Sequence, residues 1–506
     1  MAQPASSTGA RAPARVVAVD LGASNGRVFL AEIGQESLEL TQVHRFSNGG
    51  VRVGRHIYWD VLGLYRGVLE GLRSAGRSGR LDSIGIDSWG VDYGLLDADG
   101  TLLGNPVHYR DDRTRGVVEL VVDSVGAPEL YRRSGIAVAP FNTIFQLVAG
   151  RDDALFPLAR TLLLMPDLLA YWLTGSVGCE ETNASTTQLL RVDGSGWDSE
   201  LLGRLGIPPQ LFPPIRRPGE PLGSLRPEVL VEAGLDYPLA FTAVGSHDTA
   251  SAVAAIPAVD TNFAYISSGT WSVVGVELDS PVLSEESRTA GFTNERGVDS
   301  SILYLRNVMG LWLLQESMRT WERAGKSLSL EGLIASATPE TALRSVFDPN
   351  DPVFFSPGDI PTRIAQVCHD LGQFVPETPA QVTRSILDSL ALAYRRTVRS
   401  ACDLSGKRVE VIHVVGGGVN NTLLCQLTSD ACGLPVVAGP IEAAAIGNAL
   451  VQAQGLGAVG KGRWQTRTIV ADRTQVRRYR PSGAEAQRWA EAEARLVARE
   501  ATYRPT

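Results

Sequence analysis

Asp248 is the residue best placed by sequence for chemistry in this 506-residue chain. It lies in Ala243-Val244-Gly245-Ser246-His247-Asp248-Thr249-Ala250-Ser251-Ala252-Val253, where a short apolar strand passes into small helix-forming residues. The pattern predicts a helix over 249–255 with Asp248 at its start. An alcohol that attacks a phosphoryl group must lose its proton as the new bond forms. An aspartate with an unperturbed pKa of about 4 is ionised at neutral pH and able to accept that proton. Positioning and charge stabilisation would then supply most of the rate. The alternative for Asp248 is an N-cap, a position that Asp, Ser and Thr all favour. Neighbouring His247 is one of only six histidines, with local hydrogen bonding as the alternative to a chemical role.

Three other segments have the composition of phosphate- or nucleotide-binding turns. Asp20-Leu21-Gly22-Ala23-Ser24-Asn25-Gly26-Arg27 joins an apolar strand over 16–20 to a second strand starting at Arg27. Backbone N–H groups in such a tip can converge on a phosphate oxygen, Asp20 can hold magnesium through water, and Arg27 can add positive charge. An ordinary tight turn is the alternative. Ser267-Ser268-Gly269-Thr270 presents a matching tip between two further strand-like runs, so a polyphosphate has two tips available to grip it. In Val411-Ile412-His413-Val414-Val415-Gly416-Gly417-Gly418-Val419-Asn420-Asn421, a buried strand opens through three glycines into a helix over 422–432. Asn420 or Asn421 would cap that helix, and the glycines would let an adenosine ring or phosphate approach the backbone. No Gly-Lys-Ser/Thr follows and the spacing is not Gly-x-Gly-x-x-Gly, so P-loop and Rossmann mechanics do not apply.

A polyhydroxylated ligand needs an aromatic face and fixed polar partners. In Asp87-Ser88-Trp89-Gly90-Val91-Asp92 and Tyr109-Arg110-Asp111, the residues Trp89, Tyr109, Arg110 and Asp111 can supply them from loops at strand ends, with core filling as the alternative for Trp89.

The elements that must position these residues read as α/β. The 52 glycines cluster at junctions between β-branched runs and polar turns. Strands are expected over 83–87 and 93–96, a turn at Asp97-Ala98-Asp99-Gly100, and helices over 311–318 and 386–398. The strand, small-residue tip, strand design occurs at 16–30 and again at 264–276. One fold is therefore expected twice, as two α/β domains around a cleft, with the boundary near Pro257–Asn262. The Pro-rich stretch from Pro208 to Pro221 reads as a surface connection inside the first domain.

Bulk composition narrows the function classes. A net charge of −8, with both signs scattered and 44% hydrophobic residues, gives no electrostatic footprint for nucleic acid or anionic membrane. No apolar stretch approaches the roughly 18 residues of a membrane span. The first fifteen residues lack the apolar segment of a secretory signal and read as a disordered tail, so a cytoplasmic protein is expected. Five sparsely spaced cysteines suggest neither a disulfide framework nor a structural zinc site.

Taken together, these segments resemble the FGGY carbohydrate kinases over roughly residues 16–475. The strings VAVDLGASNGR, SIGIDSWGVDYGLLD, YRDDRT, LLMPDLLAYWLTG, TNASTTQLL, GSHDTASAV, YISSGTWS, RNVMGLWLLQES and VVGGGVNNTLL carry the resemblance, and they are most similar to members acting on L-rhamnulose. The resemblance implies a duplicated, ribonuclease H-like, sugar-kinase/actin-like ATPase fold with an interdomain cleft. It implies a 1–15 tail, an N-terminal domain over 16–257 for sugar, phosphate and base, a C-terminal domain over 258–480 for ATP, and a 481–506 helix or tail. The implied reaction is transfer of phosphate from Mg·ATP to the C1 hydroxyl of L-rhamnulose, within L-rhamnose breakdown, by a monomer or small homo-oligomer.

Asp248 is then the base. Gly90, His247, Asp248, Thr249 and Asn307 line the sugar site, while Ala23, Ser24, Asn25, Gly26, Arg27, Thr270, Gln315 and Gly417 meet ATP. Asp20 and Asp248 are the carboxylates for Mg2+. A related ketose such as L-fuculose or L-ribulose, or non-catalytic ATP binding on the same fold, are the alternatives. Departures from the wider family pattern are few. The common Lys and Trp are missing from the run Pro140–Gln146, Asn25 stands where Ser is common, and Ser429 leaves Cys432 without a second thiol.

Overall fold

The structure is a computed structural model and describes residues 12–483 and 486–503. It divides into two compact units. Among the described residues, the first comprises 12–259, Glu295–Ser301 and Ala444–Thr474, and the second Asp260–Asn294, Ile302–Ala443, 475–483 and 486–503.

The sheet of the first unit contains β1 (Ala14–Leu21), β2 (Asn25–Ile33), β3 (Leu38–Ser47), β4 (Ser83–Ser88) and β5 (Ala240–Thr242), with Pro221–Ser224 at one edge. Val16, Val17, Ala18 and Val19 form an unbroken apolar run in β1 and are fully buried, as suits a central strand covered on both faces. β1 pairs antiparallel with β2 and parallel with β4; β2 is antiparallel to β3, and β4 is parallel to β5. The spatial order is thus β3, β2, β1, β4, β5.

The sheet of the second unit contains β6 (Phe263–Ser268), β7 (Trp271–Leu278), β8 (Ile302–Met309), β9 (Val411–Val415) and β10 (Val436–Ala438), with Arg477–Tyr479 at one edge. β6 is antiparallel to β7 and parallel to β9; β7 is antiparallel to β8, and β9 is parallel to β10. The order β8, β7, β6, β9, β10 repeats the first sheet strand for strand and direction for direction. The expected duplication is present.

Helices cover these sheets where glycine permits close approach. An added Cβ at Gly71, in the helix Val61–Gly76, would stand 2.3 Å from Cγ2 of Val28 on β2. In the second unit the long helix Pro379–Ser405 starts with a capping box between Thr378 and Gln381 and buries Ile386, Leu387, Leu390 and Tyr394 in the core.

Several elements extend beyond their sequence expectations because pairing adds to local pattern. β1 begins at Ala14, where Arg15 pairs with Glu32 at 2.5 Å, so Ala14 and Arg15 are strand residues, while 1–11 of the expected tail lie outside the described residues. β2 begins at Asn25, because Asn25 and Gly26 register with Ser47 and Phe46 of β3. The expected helix over 386–398 is part of Pro379–Ser405, and that over 311–318 falls within Trp312–Arg323 except for Leu311, which is its N-cap. The terminal helix Ala486–Tyr503 sits on the second unit's core through Trp489, Ala492 and Leu496. No helix among the described residues is long and apolar enough to cross a membrane.

Candidate active site

In the first unit the parallel register of β1 and β4 makes Asp20 and Asp87 direct neighbours at the strand ends. Both are buried. Asp20 Oδ2 accepts a hydrogen bond from Arg27 at 2.6 Å across the hairpin. Asp87 Oδ2 accepts from Asn448 Nδ2 at 2.6 Å, whereas buried Oδ1 has no hydrogen-bond partner among the described residues. Burial, and then the charge of Asp20, push the Asp87 carboxyl well above the usual carboxylate range. Asn448 comes from the helix Ala443–Gly455, whose Gln452 donates to Val17 O at 3.0 Å. The hairpin tip is braced by Asn48, whose side chain donates to Gly22 O at 2.8 Å and whose N–H donates to Ser24 O at 3.1 Å, leaving Ser24 exposed.

Beyond β4 the chain meets the His247-Asp248 segment: the Ser88 N–H donates to Ser246 O at 2.9 Å. Asp248 opens the helix Asp248–Ala254, one residue before the expected start, with His247 at the N-cap position and no side-chain cap. The Asp248 carboxylate is therefore not a cap. It accepts from the Thr249 hydroxyl at 3.2 Å, and about a third of its side chain, 35%, reaches solvent. Burial raises its carboxyl above the ordinary value, against the lowering pull of His247.

Glu180 organises this loop by accepting from Ser246 N and Oγ at 2.9 and 2.7 Å and from the Thr182 hydroxyl at 2.6 Å; Thr182 in turn accepts from the His247 N–H at 3.1 Å. His247 Nδ1 lies 3.1 Å from Glu295 Oε2, and its Nε2 lies 3.6 Å from Asp248 Oδ1. Burial alone would lower the imidazole's pKa, but Glu295, Asp248 and Glu180 together raise it to about 9, so the ring is cationic at neutral pH.

An aromatic layer stands behind Gly90. Trp59 stacks on His108 and packs against Trp89 at a tilt of 31°, each at 4.0 Å between centroids, and His108 lies 4.6 Å from Tyr109. Buried Asp92 ties the layer together by accepting from Trp59 Nε1 at 2.6 Å, Trp89 Nε1 and Gln146 Nε2 at 3.0 Å, and Tyr109 N at 3.2 Å. Burial nevertheless lifts its carboxyl to about 6. Val91 adopts φ 70° and donates to Thr186 Oγ1 at 3.1 Å, while a Cβ at Gly90 would stand 2.8 Å from that same oxygen. Asp111, a candidate ligand for hydroxyl groups, instead engages both oxygens locally, with Ile57 N at 2.8 Å, Arg113 N at 3.0 Å and His56 Nδ1 at 3.1 Å.

In the second unit the β6–β7 tip is held against the start of helix Trp312–Arg323: the Leu311 and Trp312 N–H groups donate to Gly269 O and Thr270 O at 3.0 and 3.1 Å. Thr270 Oγ1 approaches Gln315 Oε1 at 3.4 Å. The parallel pairing of β6 with β9 carries the glycine turn to the same edge, where a Cβ at Gly418 would stand 2.0 Å from Ser268 Oγ. A Cβ at Gly417 would meet nothing within 4 Å. Asn421 caps the helix Thr422–Cys432, accepting from Leu424 N at 3.0 Å.

Residues 16–255 match the model of the FGGY family of carbohydrate kinases, N-terminal domain, and residues 264–456 match its C-terminal domain. The chain belongs to the FGGY family of carbohydrate kinases. Relatives of this FGGY kinase include a rhamnulokinase of Bacteroides thetaiotaomicron, 43% identical and covering 87% of this chain and 90% of the relative. A rhamnulokinase of Pectobacterium carotovorum is 45% identical, covering 88% of each. One of Klebsiella pneumoniae is 42% identical, covering 92% of this chain and 94% of the relative. Among solved structures, a xylulose kinase of Lactobacillus acidophilus superposes with TM-score 0.81 at 17% identity, covering 96% of this chain and 97% of that one. A Plasmodium falciparum glycerol kinase with ADP superposes with TM-score 0.77 at 15% identity, covering 96% and 98%. These two share its fold.

The first unit of this FGGY kinase holds Asp20, Ala23–Arg27, Gly90, His247, Asp248 and Thr249, and the second holds Thr270, Asn307, Gln315 and Gly417. Asn307 is exposed on β8, opposite Val273 of β7. Sequence reasoning missed Asn48, Glu180, Glu295 and Asn448 as supports of these residues. Their types carried no local signal; only the hydrogen bonds and ion pairs they make to distant segments reveal them.

Proposed function

We propose that this FGGY kinase phosphorylates L-rhamnulose at its C1 hydroxyl, converting ATP to ADP and releasing L-rhamnulose 1-phosphate. The observation that carries the chemistry is the Asp248 carboxylate, which opens a helix without capping it and keeps part of its surface open to solvent. The sugar assignment is supported by relatives named rhamnulokinase at 42–45% identity across most of the chain. As O1 attacks the γ-phosphorus, Asp248 accepts the hydroxyl proton, the bond from γ-phosphorus to the bridging oxygen breaks, and ADP leaves.

In the first unit His247, Thr249 and the Gly90 backbone orient the sugar, and the Ala23–Arg27 tip receives phosphate. In the second, Asn307 is assigned to the sugar, and Thr270, Gln315 and Gly417 to the nucleotide. Magnesium suits the first unit's residues, because the unpartnered, buried Asp87 Oδ1 beside Asp20 is an arrangement that a divalent cation neutralises. Asp20, with Asp87 next to it, and Asp248 would hold the ion directly or through water. Bound there, magnesium offsets charge on the phosphates. The setting proposed is the cytoplasm.

The test is ADP release, with Mg·ATP and a panel of L-rhamnulose, L-fuculose, L-ribulose, D-xylulose and glycerol. The highest kcat/KM for L-rhamnulose supports the reading. Preference for another ketose keeps the kinase and removes the sugar assignment, and silence across the panel from folded, ATP-binding protein removes both.

A further inference from the structure

We infer that Glu295 is a positioning residue for the sugar site, fixing the His247 ring in the orientation from which it meets the sugar. The inference rests on the proposed role of His247 in holding the sugar.

His247 is anchored twice, and the two anchors do different work. Its backbone N–H is held by Thr182 Oγ1 at 3.1 Å, itself fixed by Glu180, so the place of the residue in the loop is set without Glu295. The ring still turns about its side-chain torsions unless something grips it. Glu295 Oε2, 3.1 Å from Nδ1, forms an ion pair with the side of the ring away from the base, close but without the alignment of a hydrogen bond, while Nε2 lies 3.6 Å from Asp248 Oδ1. The side chains of His247 and Glu295 are 13% and 9% exposed, so little water competes for the contact. The ring is thus flanked by carboxylates from two separate elements, Asp248 on its own helix and Glu295 on the strand Thr293–Arg296.

Glu295 is itself rigidly mounted. The next residue, Arg296, donates from its backbone to Ser185 Oγ at 2.9 Å and from its guanidinium to Val192 O at 2.8 Å, and lies 3.6 Å from Glu181. Two residues further on, Val298 packs with Val244 and Val451. A side chain mounted in this way holds its partner in one orientation before the sugar arrives, which is how a supporting residue improves binding without touching the ligand.

The experiment compares wild type, Glu295→Ala, Glu295→Gln, His247→Ala and the Glu295→Ala/His247→Ala double variant by steady-state kinetics and by calorimetric binding of L-rhamnulose. Thermal melts monitor folding. Glu295→Ala is expected to raise sugar KM and Kd by about 10-fold while the KM for ATP is unchanged. Glu295→Gln, which keeps the shape of the side chain and removes its charge, is expected to show most of the same loss, because the contact is an ion pair. The double variant is expected to bind sugar no worse than His247→Ala, because both changes remove one interaction. Additive losses, or equal losses toward sugar and ATP, overturn the inference and leave Glu295 with a general structural role. If His247→Ala weakens sugar binding and Glu295→Ala does not, the inference alone fails. If His247→Ala leaves sugar binding unchanged, the proposed role of His247 fails and the inference with it. Should Glu295→Ala not fold, Glu295→Asp, which withdraws the charge from the ring by one methylene, carries the same comparison.

Discussion

Asp20 and Asp87 are register partners on adjacent parallel strands, so two buried carboxylates end side by side, one bonded to Arg27 and the other to Asn448. Like charges this close favour either a proton or a cation. Asp87→Asn keeps the shape and removes the charge. It is expected to weaken Mn2+ binding on the order of 10–100-fold, measured by electron paramagnetic resonance of free Mn2+ without nucleotide. Unaltered Mn2+ affinity would show that the pair holds no cation.

Asp248→Asn is expected to lower kcat by roughly 10²–10⁴-fold, the usual contribution of a positioned base. The melting temperature should stay close to wild type, because the carboxylate neither caps its helix nor supports the core. Near-normal turnover in a single-turnover assay would remove the base assignment.

Gly417 and Gly418 should separate binding from packing. A methyl at Gly418 meets Ser268 Oγ at 2.0 Å, so Gly418→Ala is expected to destabilise the protein by about 1–3 kcal/mol in urea denaturation. A methyl at Gly417 meets nothing within 4 Å, so Gly417→Ala should melt like wild type yet bind ATP more weakly. Equal ATP affinity in Gly417→Ala would take that residue out of the nucleotide site.

Asp92 gives the kinase a pH-dependent stability of known sign. Its carboxyl is raised from 3.8 to about 6 by burial, opposed by donors from Gln146, Trp59 and Trp89. The folded protein therefore holds this proton more tightly than the unfolded chain. The resulting stability is fully present below a pH of about 4 and is lost as pH rises through about 6. Asp92→Asn does not titrate. From pH 4 to 7 wild type should lose on the order of 3 kcal/mol relative to the variant in urea denaturation. A difference that does not change with pH would mean that Asp92 titrates as an ordinary carboxylate.

Much of this kinase was legible in local sequence. The hairpins with tips expected at 21–26 and 267–270, the glycine turn at 416–418 and the placement of Asp248 are short-range signals, because turn geometry and helix starts depend on residues a few positions apart; the turns themselves are shorter, since Leu21, Asn25, Gly26, Ser267 and Ser268 pair within the strands. The duplication followed from seeing one such hairpin twice, and the sheets repeat it strand for strand. Strand ends were less legible: Asn25 joins β2 only because Ser47 lies opposite it.

Tertiary structure alone decided what surrounds the chemical groups. Asn448 reaches Asp87 across 361 positions of sequence, and Glu295 and Asn448 both belong to the first unit although they follow its main segment in the chain. No periodicity or turn propensity encodes such contacts, because they arise from how strand and helix ends are brought together by packing. Asp92 and Asp111 show the same limit. Asp111 was a candidate partner for hydroxyl groups and Asp92 carried no assigned role, yet Asp92 fastens an aromatic layer and Asp111 locks a loop, since buried carboxylates take whichever donors the fold delivers. Sequence determined which groups could do the chemistry; the packed fold decided which of them are held, charged and supported.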